Sequence, residues 1–140
     1  MSDDFRPRRS VLYMPAANAK ALEKAKAIPA DALIFDLEDA VAPDAKPAAR
    51  ESAAAAASSG QYGRRELTIR CNGLDTPWGA DDLAAAAAAG PAAVVIPKVS
   101  STAYLAEVVK RLEAAGAPDS LRVWAMIETP TAIFDVRQIA

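Results

Sequence analysis

The stretch Ala32-Leu33-Ile34-Phe35-Asp36-Leu37-Glu38-Asp39 decides the fold. Ala32 to Phe35 are apolar without interruption, and the acids come only at the end. A half-exposed strand alternates apolar and polar residues, whereas a strand buried on both faces of a parallel sheet reads as a continuous apolar run. Runs of the same kind recur at Ser10–Met14, Leu67–Arg70, Ala93–Ile96 and Val123–Ile127. The stretches between them are rich in Ala, Glu and Lys and have helical character. Asn18 is placed to cap a helix reaching about Ala27, ahead of Pro29. A second helix spans Lys46 to Ser58. Thr76-Pro77 reads as a cap with proline in the first turn, and Gly90-Pro91 ends that helix. Ser101 or Thr102 caps a helix to about Ala115, and Thr129-Pro130 opens one more. The pattern is βα repeated five times, an α/β arrangement with right-handed crossovers. Five units make either a complete doubly wound open sheet or roughly half of an eight-unit barrel.

Composition narrows the chemistry. The chain has 140 residues, 16 Lys plus Arg against 18 Asp plus Glu, and a net charge of −2. Without a basic excess there are few counterions to release, which argues against nucleic-acid binding. Apolar residues make up 52% of the chain, but 35 of them are Ala, so the core is thinner than that fraction suggests. The absence of His excludes Ser-His-Asp and Cys-His nucleophiles. The single Cys, Cys71, excludes an internal disulfide and cysteine-cluster metal sites. A metal here would be hard and oxygen-liganded. No apolar stretch follows the charged start Met1-Ser-Asp-Asp-Phe-Arg-Pro-Arg-Arg9, and no window approaches a membrane span. The expectation is a soluble, cytoplasmic protein with no membrane partner.

In parallel α/β folds the active face lies at the carboxyl ends of the strands. The five runs end in Tyr13-Met-Pro15, Asp36-Leu-Glu38-Asp39, Arg70-Cys-Asn72, Pro97-Lys98 and Glu128-Thr129. Four of the five therefore bring a charged group to one rim. Carboxylates sharing a rim repel one another unless a cation intervenes. A Mg²⁺ held by one or two carboxylates, substrate oxygens and water suits this inventory. A neighbouring Arg binds a substrate carboxylate bidentately or stabilises an oxyanion. Together they suit enolate-forming chemistry on a keto acid. Structural readings stand beside these. Asp36, Glu38 or Asp39 could cap the following turn, or pair with Arg70 and Lys98 in a buried salt network. Lys98 could be a solvated loop lysine, and Glu128 a charge meeting a helix dipole. Cys71, Trp78 and Trp124 read as packing residues. None of the six glycines falls in a phosphate-loop spacing.

Several segments combine into a resemblance: Arg9-Ser-Val-Leu-Tyr-Met-Pro15, Leu22-Glu-Lys-Ala25, Asp36-Leu-Glu-Asp-Ala-Val-Ala-Pro43, Arg70-Cys-Asn-Gly-Leu-Asp-Thr-Pro77, Ile96-Pro-Lys-Val99 and Ile127-Glu-Thr129. In this order the chain resembles the citrate lyase beta-subunit and malyl-coenzyme A lyase family, within the HpcH/HpaI aldolase superfamily. The resemblance implies a (β/α)8 barrel of TIM type. Residues 1–140 would supply its first five βα units, as the amino-terminal part of a single lyase domain. It implies Mg²⁺ dependence and reversible Claisen-type cleavage of a carboxylated acyl thioester, on coenzyme A or an acyl carrier, into an acyl thioester and a 2-keto acid. By position, Glu128 resembles the first Mg²⁺ ligand. Arg70 resembles the arginine that binds the keto acid and stabilises the enolate. Tyr13 and Lys24 sit where relatives contact the thioester. Glu38 and Asp39 occupy the acidic cluster near the metal waters, and Lys98 supports the rim. A homo-oligomer, trimeric or hexameric, is also implied.

Two departures stand out. Ala16 replaces a glycine, and Cys71 replaces Val or Ile. The second Mg²⁺ ligand of relatives, an Asp, would lie after Ala140, as would a carboxyl-terminal segment that can reach a neighbouring subunit. The rival readings are a class II pyruvate-type aldolase of the same superfamily and a non-catalytic open α/β fragment.

Overall fold

A computed structural model describes residues 6–140. The part of the charged start formed by residues 1–5 lies outside the described residues. Strands β1 (Val11–Pro15), β2 (Ala32–Asp36), β3 (Glu66–Arg70), β4 (Ala93–Ile96) and β5 (Arg122–Ala125) alternate with helices α1 (Ala19–Ala25), α2 (Lys46–Ser58), α3 (Gly79–Ala89), α4 (Thr102–Ala114) and α5 (Pro130–Ile139). The five strands form one parallel sheet in the order β1-β2-β3-β4-β5.

That order resolves the choice left open by the sequence. A doubly wound sheet reverses direction at a switch point and carries helices on both faces. Here each strand pairs with the next in sequence. Right-handed crossovers then lay every helix on the same side, as in a barrel wall.

The two faces of the strands differ accordingly. Leu33, Phe35, Ile69, Val94 and Ile96 join Leu22, Ala49, Ala53, Leu83, Ala86, Val108 and Leu112 in one core between sheet and helices. Alanines on the helices let the helix backbones lie close to the sheet, which is why an Ala-rich chain packs here. Alternation along each strand turns Tyr13, Ile34, Asp36, Thr68, Arg70 and Val95 to the opposite, concave face. The register sets Asp36 directly beside Arg70, and Arg70 beside Val95.

The caps read from sequence form at Asn18, Ser101 and Thr129, whose side chains accept from the Ala21, Tyr104 and Ala132 amides. Gly90 closes α3 in the left-handed conformation, with φ 63°. Three boundaries differ from expectation. α1 ends at Ala25 rather than Ala27, because Lys26, Ala27 and Ile28 bond back only three residues as the chain tightens ahead of Pro29. Thr76 does not cap α3: its hydroxyl donates to Gly73 O at 2.7 Å, and Trp78 precedes the first helical residue. Gly79, the first helical residue, packs its backbone on Gly73, where a Cβ would collide with the carbonyl oxygen. β5 stops at Ala125, so Met126, Ile127 and Glu128 form a loop instead of the end of a strand.

Phe35 is fully buried and meets Tyr62 edge-on, with ring centroids 5.3 Å apart. Phe35→Ala is expected to cost about 3–5 kcal/mol, the range for deleting a buried aromatic. Urea unfolding reads it as a lowered midpoint, and a loss below about 1 kcal/mol would contradict this packing.

Candidate active site

The rim at the carboxyl ends of the strands is built around Asp36 and Arg70. Their positions at the ends of adjacent paired strands let the guanidinium fork meet the carboxylate. Arg70 Nε donates to Asp36 Oδ1 and Nη2 donates to Oδ2, each at 2.7 Å. Asp36 is 1% exposed and Arg70 8%. The same Asp36 carboxylate accepts from the Glu38 amide at 2.9 Å and the Ala40 amide at 3.0 Å. It thus caps the turn and binds Arg70 at once, combining two readings that sequence left as alternatives. Burial alone would raise its pKa. The Arg70 hydrogen bonds, backed by the two amides, outweigh that and hold it below the usual carboxylate range. The Asp36 contact in turn raises the Arg70 pKa.

The turn brings Glu38 back over Arg70. Glu38 Oε2 lies 3.1 Å from Arg70 Nη1, and Oε1 accepts from Lys98 Nζ. Oε2 is buried and makes no aligned hydrogen bond, so its contact with Arg70 is an ion pair of imperfect geometry. Hydrogen bonding to Glu38 raises the Lys98 pKa. The Lys98 side chain remains 63% exposed, so it is a rim lysine with one anchored end. Its backbone amide donates to Glu128 Oε1 at 2.8 Å. Asp36, Arg70, Glu38, Lys98 and Glu128 therefore form one continuous chain of contacts across the ends of β2, β3 and β4 and the loop after β5.

Tyr13 lays its ring on Arg70, with the guanidinium carbon 4.8 Å from the ring centroid. Both Tyr13 Oη and Arg70 Nη1 reach the Met126 sulfur at 3.9 Å. These residues line an open depression of about 520 Å³, with Asp39 at its edge. Arg70 has five N–H groups, and Asp36 takes two of them. Its Nη1 edge is the part turned toward the depression and Glu38.

Of the residues singled out in the sequence, Tyr13, Glu38, Arg70, Lys98 and Glu128 are brought to one mouth, and Asp39 stands exposed beside them. Lys24 is not brought into that cluster. It is exposed in the last turn of α1, which runs back away from the carboxyl ends, and it makes no ion pair or side-chain hydrogen bond among the described residues. Cys71 is a buried core residue, and burial pushes its thiol up well beyond the ordinary range. Trp78 and Trp124 lie under the cations of Lys46 and Arg8 at 5.1 and 4.9 Å.

Sequence reasoning missed the buried layer beneath the rim. Lys46, 6% exposed, donates to Leu37 O, Glu38 O and Asn72 Oδ1 at 2.8–2.9 Å. Asn72 donates through Nδ2 to Leu37 O and to Asp82 Oδ2, and Arg50 Nε closes the set on Asp82 Oδ1 at 2.7 Å. This layer fixes the main chain that carries Glu38. The available signal was Asn72, which stands inside the R-x-N-x-L-D-T-P block.

Glu128 offers a hard-cation ligand. It is exposed, one oxygen is held by an amide, and the other accepts no hydrogen bond among the described residues. Among those residues no three acidic, His or Cys side chains gather to hold a metal by themselves. The donor set fits an ion that takes one protein carboxylate here and further oxygens from substrate and water, the habit of Mg²⁺.

A singly wound set of five parallel βα units, with an anchored arginine and an open carboxylate at one mouth, has the form of the amino-terminal part of a barrel. The chain belongs to the HpcH/HpaI aldolase/citrate lyase family, whose model matches residues 9–140. It is 46% identical over 140 residues to a (3S)-malyl-CoA thioesterase of Cereibacter sphaeroides, covering 100% of this chain and 47% of that protein. It is 37% identical to the citrate lyase subunit beta of Escherichia coli K12, covering 96% and 46%. The fold matches the amino-terminal half of the M. tuberculosis citrate lyase beta subunit complexed with oxaloacetate and magnesium. That structure gives a TM-score of 0.74 at 30% identity, covering 96% of this chain and 54% of the other. A Mycobacterium tuberculosis CitE crystal structure with magnesium, acetoacetate and coenzyme A also matches at TM-score 0.74 and 30% identity, covering 96% and 45%. The chain spans about half the length of the curated relatives it matches. No helix among the described residues is long and apolar enough to cross a membrane.

The depressed Asp36 pKa has a signed consequence. Its contribution to stability is fully present above the unfolded value near about pH 4 and is lost as pH falls through the lower folded value. Asp36→Asn breaks a buried pair and is expected to cost about 3–5 kcal/mol at neutral pH. Urea midpoints measured against pH should show the gap between the native and variant proteins narrowing as pH falls below about 4. A gap independent of pH would contradict the assignment.

Proposed function

We propose that this protein is a Mg²⁺-dependent carbon–carbon lyase. It would cleave a carboxylated acyl thioester of malyl-coenzyme A or citryl type, reversibly, into an acyl thioester and a 2-keto acid. Residues 1–140 would form the amino-terminal part of one barrel domain. The observation that carries the reading is the Asp36–Arg70–Glu38–Lys98–Glu128 chain at one mouth. It presents an immobilised guanidinium edge and a cation-ready carboxylate side by side, with no imidazole or accessible thiol to serve as nucleophile.

In the forward direction a base takes the proton of the hydroxyl β to the thioester as the Cα–Cβ bond breaks. The keto acid and the thioester enolate result, and one proton returns to the enolate carbon afterwards, so the cleavage has no net proton change. Arg70 supplies its Nη1 edge to the keto-acid carboxylate and to the oxygen that gains charge. Its other edge is locked on Asp36, so little reorganisation accompanies the charge shift. Tyr13 covers the guanidinium and excludes water from it. Glu128 would hold the cation, with Asp39 and Glu38 near its waters and a second ligand beyond Ala140. A Mg²⁺ bound there supplies positive charge to the keto-acid oxygens. Lys98 braces Glu38, and Lys24, at the far end of α1, takes no part at this mouth. A cytoplasmic homo-oligomer completes the proposal.

Thioester hydrolysis is the second reading, favoured by the relatives of 44–46% identity named (3S)-malyl-CoA thioesterase. Incubation of the complete protein with malyl-coenzyme A and Mg²⁺ separates the two. Glyoxylate and acetyl-coenzyme A are expected, whereas malate and free coenzyme A would replace cleavage by hydrolysis. Turnover of a free 4-hydroxy-2-keto acid instead would mark a pyruvate-type aldolase. Arg70→Lys keeps the charge but loses the fork, and Glu128→Gln loses the cation ligand. Each is expected to lower kcat/KM by about 10²–10³. Near-normal turnover in either would contradict its assigned role.

A further inference from the structure

We propose that Lys98 is a positioning residue for Glu128 and that it acts through its main chain; this rests on Glu128 being a cation ligand, as in the proposed function. Lys98 is the residue other than glycine with positive φ among the described residues, at 50°. A side-chain-bearing residue in that region is strained, and such strain persists only where surrounding contacts hold it. Here they act on both of its ends. The left-handed φ sets the Lys98 side chain and the onward chain relative to its amide, which donates to Glu128 Oε1 at 2.8 Å. The side chain gives its hydrogen bond to Glu38, and Glu128 acts on the ammonium only through its charge.

The division matters chemically. An ammonium resting on Glu128 would neutralise it and compete with a dication for the same oxygen. A main-chain N–H carries no net charge, so it orients the carboxylate and leaves its charge for the cation. The neighbouring residue is fixed independently. Thr129 Oγ1 lies 2.9 Å from Ser100 Oγ and accepts from the Ala132 amide at 3.1 Å. The loops after β4 and β5 are therefore clasped twice, and Glu128 is left with one oxygen anchored and one open. A carboxylate ordered in advance loses less freedom when it captures an ion. Glycine would supply the same backbone without strain but would leave Glu38 without its lysine.

The test measures Mn²⁺ binding by electron paramagnetic resonance in the complete native chain. It compares the wild type with Glu128→Gln, Lys98→Gly and Lys98→Val, with thermal melts to establish folding. Lys98→Gly accepts the left-handed backbone and is expected to bind within about threefold of wild type. Lys98→Val disfavours that backbone and is expected to bind about tenfold more weakly or worse, the scale of one lost charge-assisted hydrogen bond. Lys98→Ala carries the same comparison should Lys98→Val not fold. If Lys98→Gly weakens binding as much as Lys98→Val, the side chain is the agent and the proposal is overturned. It is also overturned if both bind like wild type while Glu128→Gln is impaired. Wild-type binding by Glu128→Gln would instead remove the cation-ligand reading on which the proposal stands.

Discussion

A carboxylate and a guanidinium, both almost wholly removed from water, face each other across the end of two adjacent parallel strands. Everything at the mouth of this fold depends on the Asp36–Arg70 pair. Burying either charge alone would cost several kcal/mol, and the pair is tolerable only because its geometry is bidentate and its other lone pairs are satisfied. Asp36 meets that condition with the amides of Glu38 and Ala40. The same two bonds fold the chain so that Glu38 returns over Arg70. One residue thereby sets the shape of the loop and the orientation of the arginine.

The pair does not stand alone in the sheet. Below it, Lys46 gathers the carbonyls of Leu37 and Glu38 and the Asn72 amide oxygen, and Asp82 and Arg50 complete the layer. That layer connects α2, α3 and the ends of β2 and β3, so the rim is braced by helices and not by loops alone. Charges at the mouth can then point outward without collapsing onto one another. Rigid support of this kind is what allows an arginine edge to stabilise developing charge without moving.

Much of the fold was legible because its cause is local. Continuous apolar runs report burial on both faces, and Asn18, Ser101 and Thr129 cap helices by short-range geometry. The sheet order was not legible from the runs themselves, since five βα units satisfy two topologies with the same periodicity. Thr76 misled because a threonine before proline caps helices by habit, while the close approach of Gly79 to Gly73 is a tertiary constraint. At the site, the charged strand ends identified the rim, and strand register brought Asp36 to Arg70. What sequence could not give was Lys46: a lysine at the start of a helix reads as solvated until its carbonyl partners are known. The left-handed backbone of Lys98 was equally silent, because no residue type announces it.

The proposed function puts a divalent cation on the carboxylate of Glu128 next to the Nη1 edge of Arg70. Anomalous diffraction from crystals of the complete protein grown with Mn²⁺ and a 2-keto acid tests it most directly. The account expects a metal peak about 2.1 Å from a Glu128 oxygen, with the keto-acid carboxylate bridging toward Arg70. A metal bound elsewhere, or a keto acid held away from Arg70, would contradict it.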